Sequence, residues 1–292
     1  MTAAAAHSTI VALGGGGFSM SETGKSAIDD HLLERASLVR DAPSTDTPSA
    51  GVRSTETHRR RGGGKAPLLP RVCFVPTASG DDPDYIRRFE AAFAGRAETS
   101  VLSLFGQGPS GYQDPQMLLD TDLIYVGGGS TANLLTLWRR HGVDDIMRDA
   151  AANGTILAGI SAGANCWFEA SSTDSFGPLA PLDDGLGFIP GSVCPHYHGE
   201  PGRADSFRGW ITSGRLPGPG LAIDDHAAVV FENCAATSVL VERPEANAYL
   251  VDGWSETRLG IDGDSDVASD DPSVPGSASD TLPRNLLRRV LQ

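Results

Sequence analysis

The sequence predicts an α/β protein: a mostly parallel sheet with helices on both faces and a small antiparallel extension. Three observations predict it. From Thr9 to Ile160, short apolar runs rich in β-branched residues alternate with amphipathic segments at helical spacing. That is the order in which parallel strands and their covering helices follow one another. The strand candidates stop at small residues, Gly14–Gly17, Thr77, Gly127–Gly129 and Ser161, and sites of open α/β sheets gather at those carboxyl ends. From Gly220 to Val251 short strands follow one another through turns, as in an antiparallel extension.

The elements follow in order. Thr9-Ile10-Val11-Ala12-Leu13 is a strand broken by four glycines. Gly24-Lys25-Ser26 resembles the end of a phosphate-binding loop, but Ser19 stands where that pattern needs its first glycine, and no acidic residue ends the second strand. The bland reading is a tight turn. Ile28, Leu32, Leu33, Ala36 and Val39 mark a helix over Ser26 to Val39. Asp41 to Ala66 is Ser, Thr, Pro and Gly with an Arg59-Arg60-Arg61 run, too little apolar surface to offset ordering, and reads as a disordered insertion. Arg71 to Val75 is the second strand, Tyr85 to Phe93 a helix, Ser100 to Phe105 the third strand and Leu123 to Val126 the fourth. Helices follow over Ala132 to His141 and up to Asn153, then a strand ending at Ser161 and a segment able to form a helix. Glu169 to Asp184 reads as a loop. Short strands are expected at Gly220–Asp225, Ala227–Phe231, Ser238–Val241 and Ala248–Val251. One domain over residues 9–262 is expected, followed by an acidic, disordered tail at 263–292 that ends in a short helix over Leu286 to Leu291.

Composition narrows the function. The chain has 292 residues and a net charge of −14, so no sustained basic face is available to neutralise phosphates and a nucleic-acid partner is not expected. No run approaches a membrane span and the first residues lack a basic, apolar leader, which predicts a cytoplasmic protein without a membrane partner. Cys73, Cys166, Cys194 and Cys234 are widely spaced, which predicts reduced thiols rather than a disulfide framework.

The chemistry centres on Gly159-Ile160-Ser161-Ala162-Gly163. A buried strand, a sharp turn and a helix would expose the Ser161 hydroxyl and aim the Ala162 N–H at the same spot, where an oxyanion would form. Five residues of this kind also occur as ordinary Gly/Ser turns. An acyl-transfer serine needs a base and a carboxylate to hold that base. Of the seven histidines, His7 and His58 lie in expected disorder, His31 and His141 on helices, and His226 at a strand edge. His196 and His198 remain, in a loop after the elbow. Cys194, His196 and His198 alternate, but no fourth ligand is evident, so no metal is expected.

Gly127-Gly128-Gly129-Ser130-Thr131, then Gly159-Ile160-Ser161-Ala162-Gly163-Ala164, then Ser172-Thr173-Asp174-Ser175 and Pro195-His196-Tyr197 resemble the peptidase E (aspartyl dipeptidase) and cyanophycinase family of serine peptidases. The resemblance runs from Thr9 to Val251 apart from the insertion. It implies the three-layer, flavodoxin-like sandwich of class I glutamine amidotransferases, with serine replacing the amidotransferase cysteine. It implies Ser161 as nucleophile, His196 as general base and Asp174 as the acid, with Glu200 and Asp225 as fallback acids. It also implies an oxyanion hole from Ala162 and Gly128 or Gly129. His198 stands where an acidic residue often follows Pro-His-Tyr, and Arg203 or Arg208 could meet an aspartyl side chain. The implied activity is cofactor-free cleavage of a small peptide, aspartyl peptides included, with a homodimer left open. Hydrolysis of β-aspartyl-arginine polymer and a non-catalytic binding protein on the same fold are the alternatives. An α/β-hydrolase, with the same Ser…Asp…His order, ranks below them because its acid usually lies much further from the nucleophile.

Overall fold

A computed structural model describes residues 8–41, 68–106 and 111–260. The expected insertion beyond Asp41 and the expected acidic tail with its short helix lie outside the described residues. In chain order the elements are β1 (Thr9–Gly15), α1 (Gly17–Met20), α2 (Ala27–Asp41), β2 (Arg71–Val75), α3 (Pro83–Phe93), β3 (Glu98–Val101), β4 (Leu123–Val126), α4 (Thr131–His141), α5 (Val143–Ala152), β5 (Ile156–Ile160) and α6 (Ala162–Asn165). They continue with β6 (Phe168–Thr173), β7 (Ala180–Leu182), β8 (Ile189–Cys194), α7 (Arg203–Thr212), β9 (Gly220–Ile223), β10 (Ala227–Glu232), β11 (Ala235–Val241), β12 (Ala248–Val251) and β13 (Glu256–Arg258).

Two sheets result. The first has the order β11-β10-β1-β5-β4-β2-β3; β1, β5, β4, β2 and β3 run parallel, and β10 and β11 extend it antiparallel beyond β1. Alternation along its strands sends side chains to opposite faces. Val11, Leu13, Phe74 and Tyr125 pack under α1, α2 and α3 with Phe18, Leu32 and Phe89. Ile10, Ala12, Val75 and Val126 pack with Leu135, Trp138 and Met147 of α4 and α5, and with strands of the second sheet. That sheet has the order β13-β12-β9-β8-β6-β7 and carries α7 on a small core of its own, built on Tyr197, Phe207 and Ile211. The result is the expected flavodoxin-like sandwich with a second sheet added to one outer layer.

Helix ends follow ordinary capping rules. Asp82 caps α3 by accepting the Tyr85 N–H at 2.8 Å, with Pro83 at the first helical position. Gly142, in the left-handed region, ends α4 and opens α5. Among the described residues no helix is long and apolar enough to cross a membrane. The four cysteines are unpaired, three of them buried; burial pushes the Cys73 thiol up to about 11 and that of Cys194 up to about 12.

Four expectations differ from the fold. The third strand is Glu98–Val101; Leu102 and Leu104 follow it as buried loop residues, apolar because they are covered. The helix after the elbow is a single turn, since Trp167 and Phe168 leave it to enter the second sheet. The expected loop at Glu169–Asp184 contains β6 and β7, whose Ser171, Ser172 and Thr173 are buried polar residues. Pairing with β8 fixes that segment against its weak intrinsic preference. The helix α7 and the strand β13 had no expected counterpart.

Candidate active site

Ser161 leaves β5 with φ 55° and ψ −110°, a strained conformation that a serine adopts only where its surroundings hold it. The two glycines of the motif explain how it is held. A Cβ on Gly159 would stand 2.1 Å from the Gly163 carbonyl oxygen, and one on Gly163 would stand 2.4 Å from that of Val126. Strand and turn therefore approach more closely than any side chain allows. Ser161 donates its N–H to the Leu13 carbonyl (3.1 Å) and its carbonyl accepts the Asn165 N–H (2.9 Å).

The glycines after β4 lie against the serine. A Cβ on Gly128 would be 3.3 Å from Ser161 Cβ and 3.9 Å from its Oγ. Gly127 donates its N–H to Val75 O (3.1 Å) and Ser130 to Ala78 O (2.8 Å), while Gly128 donates to the Tyr85 hydroxyl (3.3 Å). Among the described residues the Gly129 N–H has no acceptor. Gly129 has φ 137°, and a Cβ there would stand 2.2 Å from Ala78 O, so only glycine fits. Ala162 opens α6, where a helix leaves its first N–H without an intrahelical acceptor.

His196 stands at the end of β1. Its Nδ1 lies 2.6 Å from Asp225 Oδ1, and both side chains are largely covered. That bond is the leading cause that holds the Asp225 carboxyl below the usual carboxylate range, ahead of the opposing effect of burial. Gly15 and Gly199 make room for the pair. A Cβ on Gly15 would be 2.0 Å from Asp225 Oδ1 and 3.0 Å from His196 Nδ1, and one on Gly199 would be 2.0 Å from Asp225 Oδ2. Ser161 is anchored on Leu13 and His196 abuts Gly15, two residues further along the same strand, so both occupy the carboxyl end of β1.

The structure distributes the remaining expected site residues differently. Asp174 is 55% exposed and lies 3.5 Å from Arg203 Nη2; the carboxylate on His196 is the fallback Asp225. Arg203, 3% exposed, is also paired with Glu200 through Nε, so its charge is already matched. Arg208 pairs with Glu256 (2.7 Å) and Asp205 (2.8 Å). His198 gives its Nδ1 to Asp224 (2.8 Å) and approaches Glu256 at 3.7 Å. The two histidines thus take consecutive carboxylates, although His196, at φ 53°, turns the chain rather than extending it. Cys194, which lies in β8, is buried beside Pro195, and among the described residues no group of three or more His, Cys, Asp or Glu is placed to hold a metal. The sequence signal for Asp225 is its place one strand-end beyond Gly220–Asp224, but its bridge to Gly15 is a long-range contact. Tyr85 carried no signal beyond opening an expected helix.

The sequence profile of Peptidase family S51 matches residues 65–239. A protein of Bacillus subtilis described as an uncharacterized peptidase, YgaJ, is 41% identical over 243 residues, covering 83% of this chain and 91% of that one. Peptidase E of Streptomyces coelicolor is 31% identical over 137 residues, 46% of this chain and 54% of its own length. A peptidase from an acI-B1 actinobacterium of known structure superposes with a TM-score of 0.59 at 17% identity, over 88% of this chain and 96% of that one, and so shares the fold. On the extent of the profile match and of the Bacillus relative, the chain belongs to peptidase family S51.

Proposed function

We propose that this peptidase cleaves its substrate by serine acyl transfer, with Ser161 as nucleophile, His196 as base and Asp225 as the carboxylate that orients it. One observation carries the reading. A serine at φ 55° on a strand-to-helix turn shares the end of β1 with a histidine whose Nδ1 is committed to a carboxylate at 2.6 Å. With Nδ1–H donated to Asp225, Nε2 is the nitrogen left to take the Ser161 proton. Ser161 Oγ then attacks the carbonyl carbon, and the oxyanion meets the N–H groups of Ala162, which opens α6, and of Gly129, for which the described residues offer no acceptor. Gly128, the other expected donor, is bonded to Tyr85. The imidazolium returns its proton to the leaving amine, and a water repeats the sequence to free Ser161 and release the acid. Each oxyanion donor contributes about 3–4 kcal/mol to lowering the barrier.

The relatives named peptidase E support a peptide bond as the target; a short, aspartyl substrate rests on the motif resemblance alone. An aspartyl side chain would meet arginines that already have partners, Arg203 with Glu200 and Asp174 and Arg208 with Glu256 and Asp205, and would have to displace one of them. The test is a fluorophosphonate probe followed by peptide mapping, with a panel of dipeptides that includes Asp-X members. Ser161 is expected to carry the label, and Ser161→Ala to lose both label and hydrolysis with its melting temperature retained. Hydrolysis by the purified variant at the parental rate would refute the assignment.

A further inference from the structure

Tyr85 is the least expected residue at this site. It lies in the first turn of α3, and its ring is clamped edge-on by Phe74 at 5.1 Å and against Phe18 at 5.5 Å. A Cβ on Gly127 would stand 3.0 Å from Tyr85 Cε1, so the glycine loop folds over the ring edge. The hydroxyl accepts the Gly128 N–H at 3.3 Å. That bond ties the glycine loop after β4, which lies against Ser161, to the first turn of α3.

We propose that Tyr85 is a positioning residue for the oxyanion hole, holding the Gly128 N–H so that the next N–H, that of Gly129, is presented to the reacting carbonyl oxygen. The physical reason is the choice of peptide plane. Glycine peptides flip readily because no Cβ restricts them, and with the N–H groups of Gly127 and Ser130 fixed on backbone carbonyls, the Gly127–Gly128 peptide is set from a side chain. A rigid aromatic ring is suited to that, since its hydroxyl loses little freedom on bonding. The inference rests on the serine acyl-transfer reading of the site.

The experiment measures fluorophosphonate labelling of the full chain, separating the inactivation rate constant kinact from the half-saturation KI, for Tyr85→Phe and Tyr85→Met. The phosphoryl oxygen of the probe uses the same N–H groups as a tetrahedral intermediate, so kinact reports their placement. Tyr85→Phe is expected to lower kinact about tenfold with KI within about twofold, at a nearly parental melting temperature. Tyr85→Met, which removes the hydroxyl together with the rigid ring, should lower kinact at least as much. A kinact for Tyr85→Phe equal to the parent's, or a loss confined to KI, would overturn the role of Tyr85. Should Tyr85→Phe fail to fold, Tyr85→Met decides by the same criterion. Absence of label at Ser161 in the parent would instead remove the nucleophile reading and this inference with it.

Discussion

Replacing Asp225 by Asn separates the two carboxylates that compete for a role at His196. The parent pair is 2.6 Å apart, with side chains 16% and 23% exposed. With about 4 Å between charge centres and an effective dielectric near 20, the carboxylate stabilises an imidazolium by about 4 kcal/mol. At 1.36 kcal/mol per decade, that is about a thousandfold in rate. Asn can also turn its NH2 toward Nδ1, which forces the proton onto Nε2 and disables the base, and this moves the expected loss in kcat/KM toward about 10⁴-fold. Asp174→Asn removes only a 3.5 Å contact between a half-exposed carboxylate and the buried Arg203, which keeps Glu200 as its partner, and should change kcat/KM by less than about fivefold. The assay is steady-state hydrolysis of the best-cleaved peptide of the panel, with melting temperatures recorded alongside. The sign of the stability effect follows from the depressed Asp225 carboxyl. Its contribution is present above the ordinary carboxylate range and is lost as pH falls through the lower, folded value, so the parent should lose its margin over Asp225→Asn in acid. An Asp225→Asn enzyme with more than a tenth of parental kcat/KM, beside an inactive Asp174→Asn, would refute the assignment.

Two further outcomes are expected. Gly15→Ala places a methyl 2.0 Å from Asp225 Oδ1, so the carboxylate must leave His196; kcat should fall at least about a hundredfold, and parental activity would show that the pair is not needed. Asp29, 1% exposed, has its carboxyl raised to about 7 by burial, a difference from 3.8 that amounts to about 4 kcal/mol. The folded chain keeps a proton that the unfolded chain has released, so stability should fall as pH rises from about 4 to about 7. Chemical denaturation of Asp29→Asn across that range should show a flatter profile, and an unchanged slope would assign the pH dependence elsewhere.

Local sequence determines the strand-turn-helix at Ser161, because Gly159 and Gly163 are the residues that allow so close an approach, and the alternating runs from Thr9 to Ile160 determine the parallel sheet. Those signals lie within a few residues of one another, and the position of Ser161 was legible from them, whereas elimination left His196 and His198 both open and only the family resemblance singled out His196. What tertiary structure decided is everything that depends on which loops meet. Asp174 and Asp225 are both acidic residues in plausible loops, and only the parallel bridge of Gly15 to Asp225 brings the second one under His196. Arg203 and Arg208 read as free cations until folding sets carboxylates beside them. Ser171 to Thr173 read as loop until β8 offered a partner. In each case the deciding free energy comes from contacts between residues distant in the chain, and neither local propensity nor the spacing of a motif contains it.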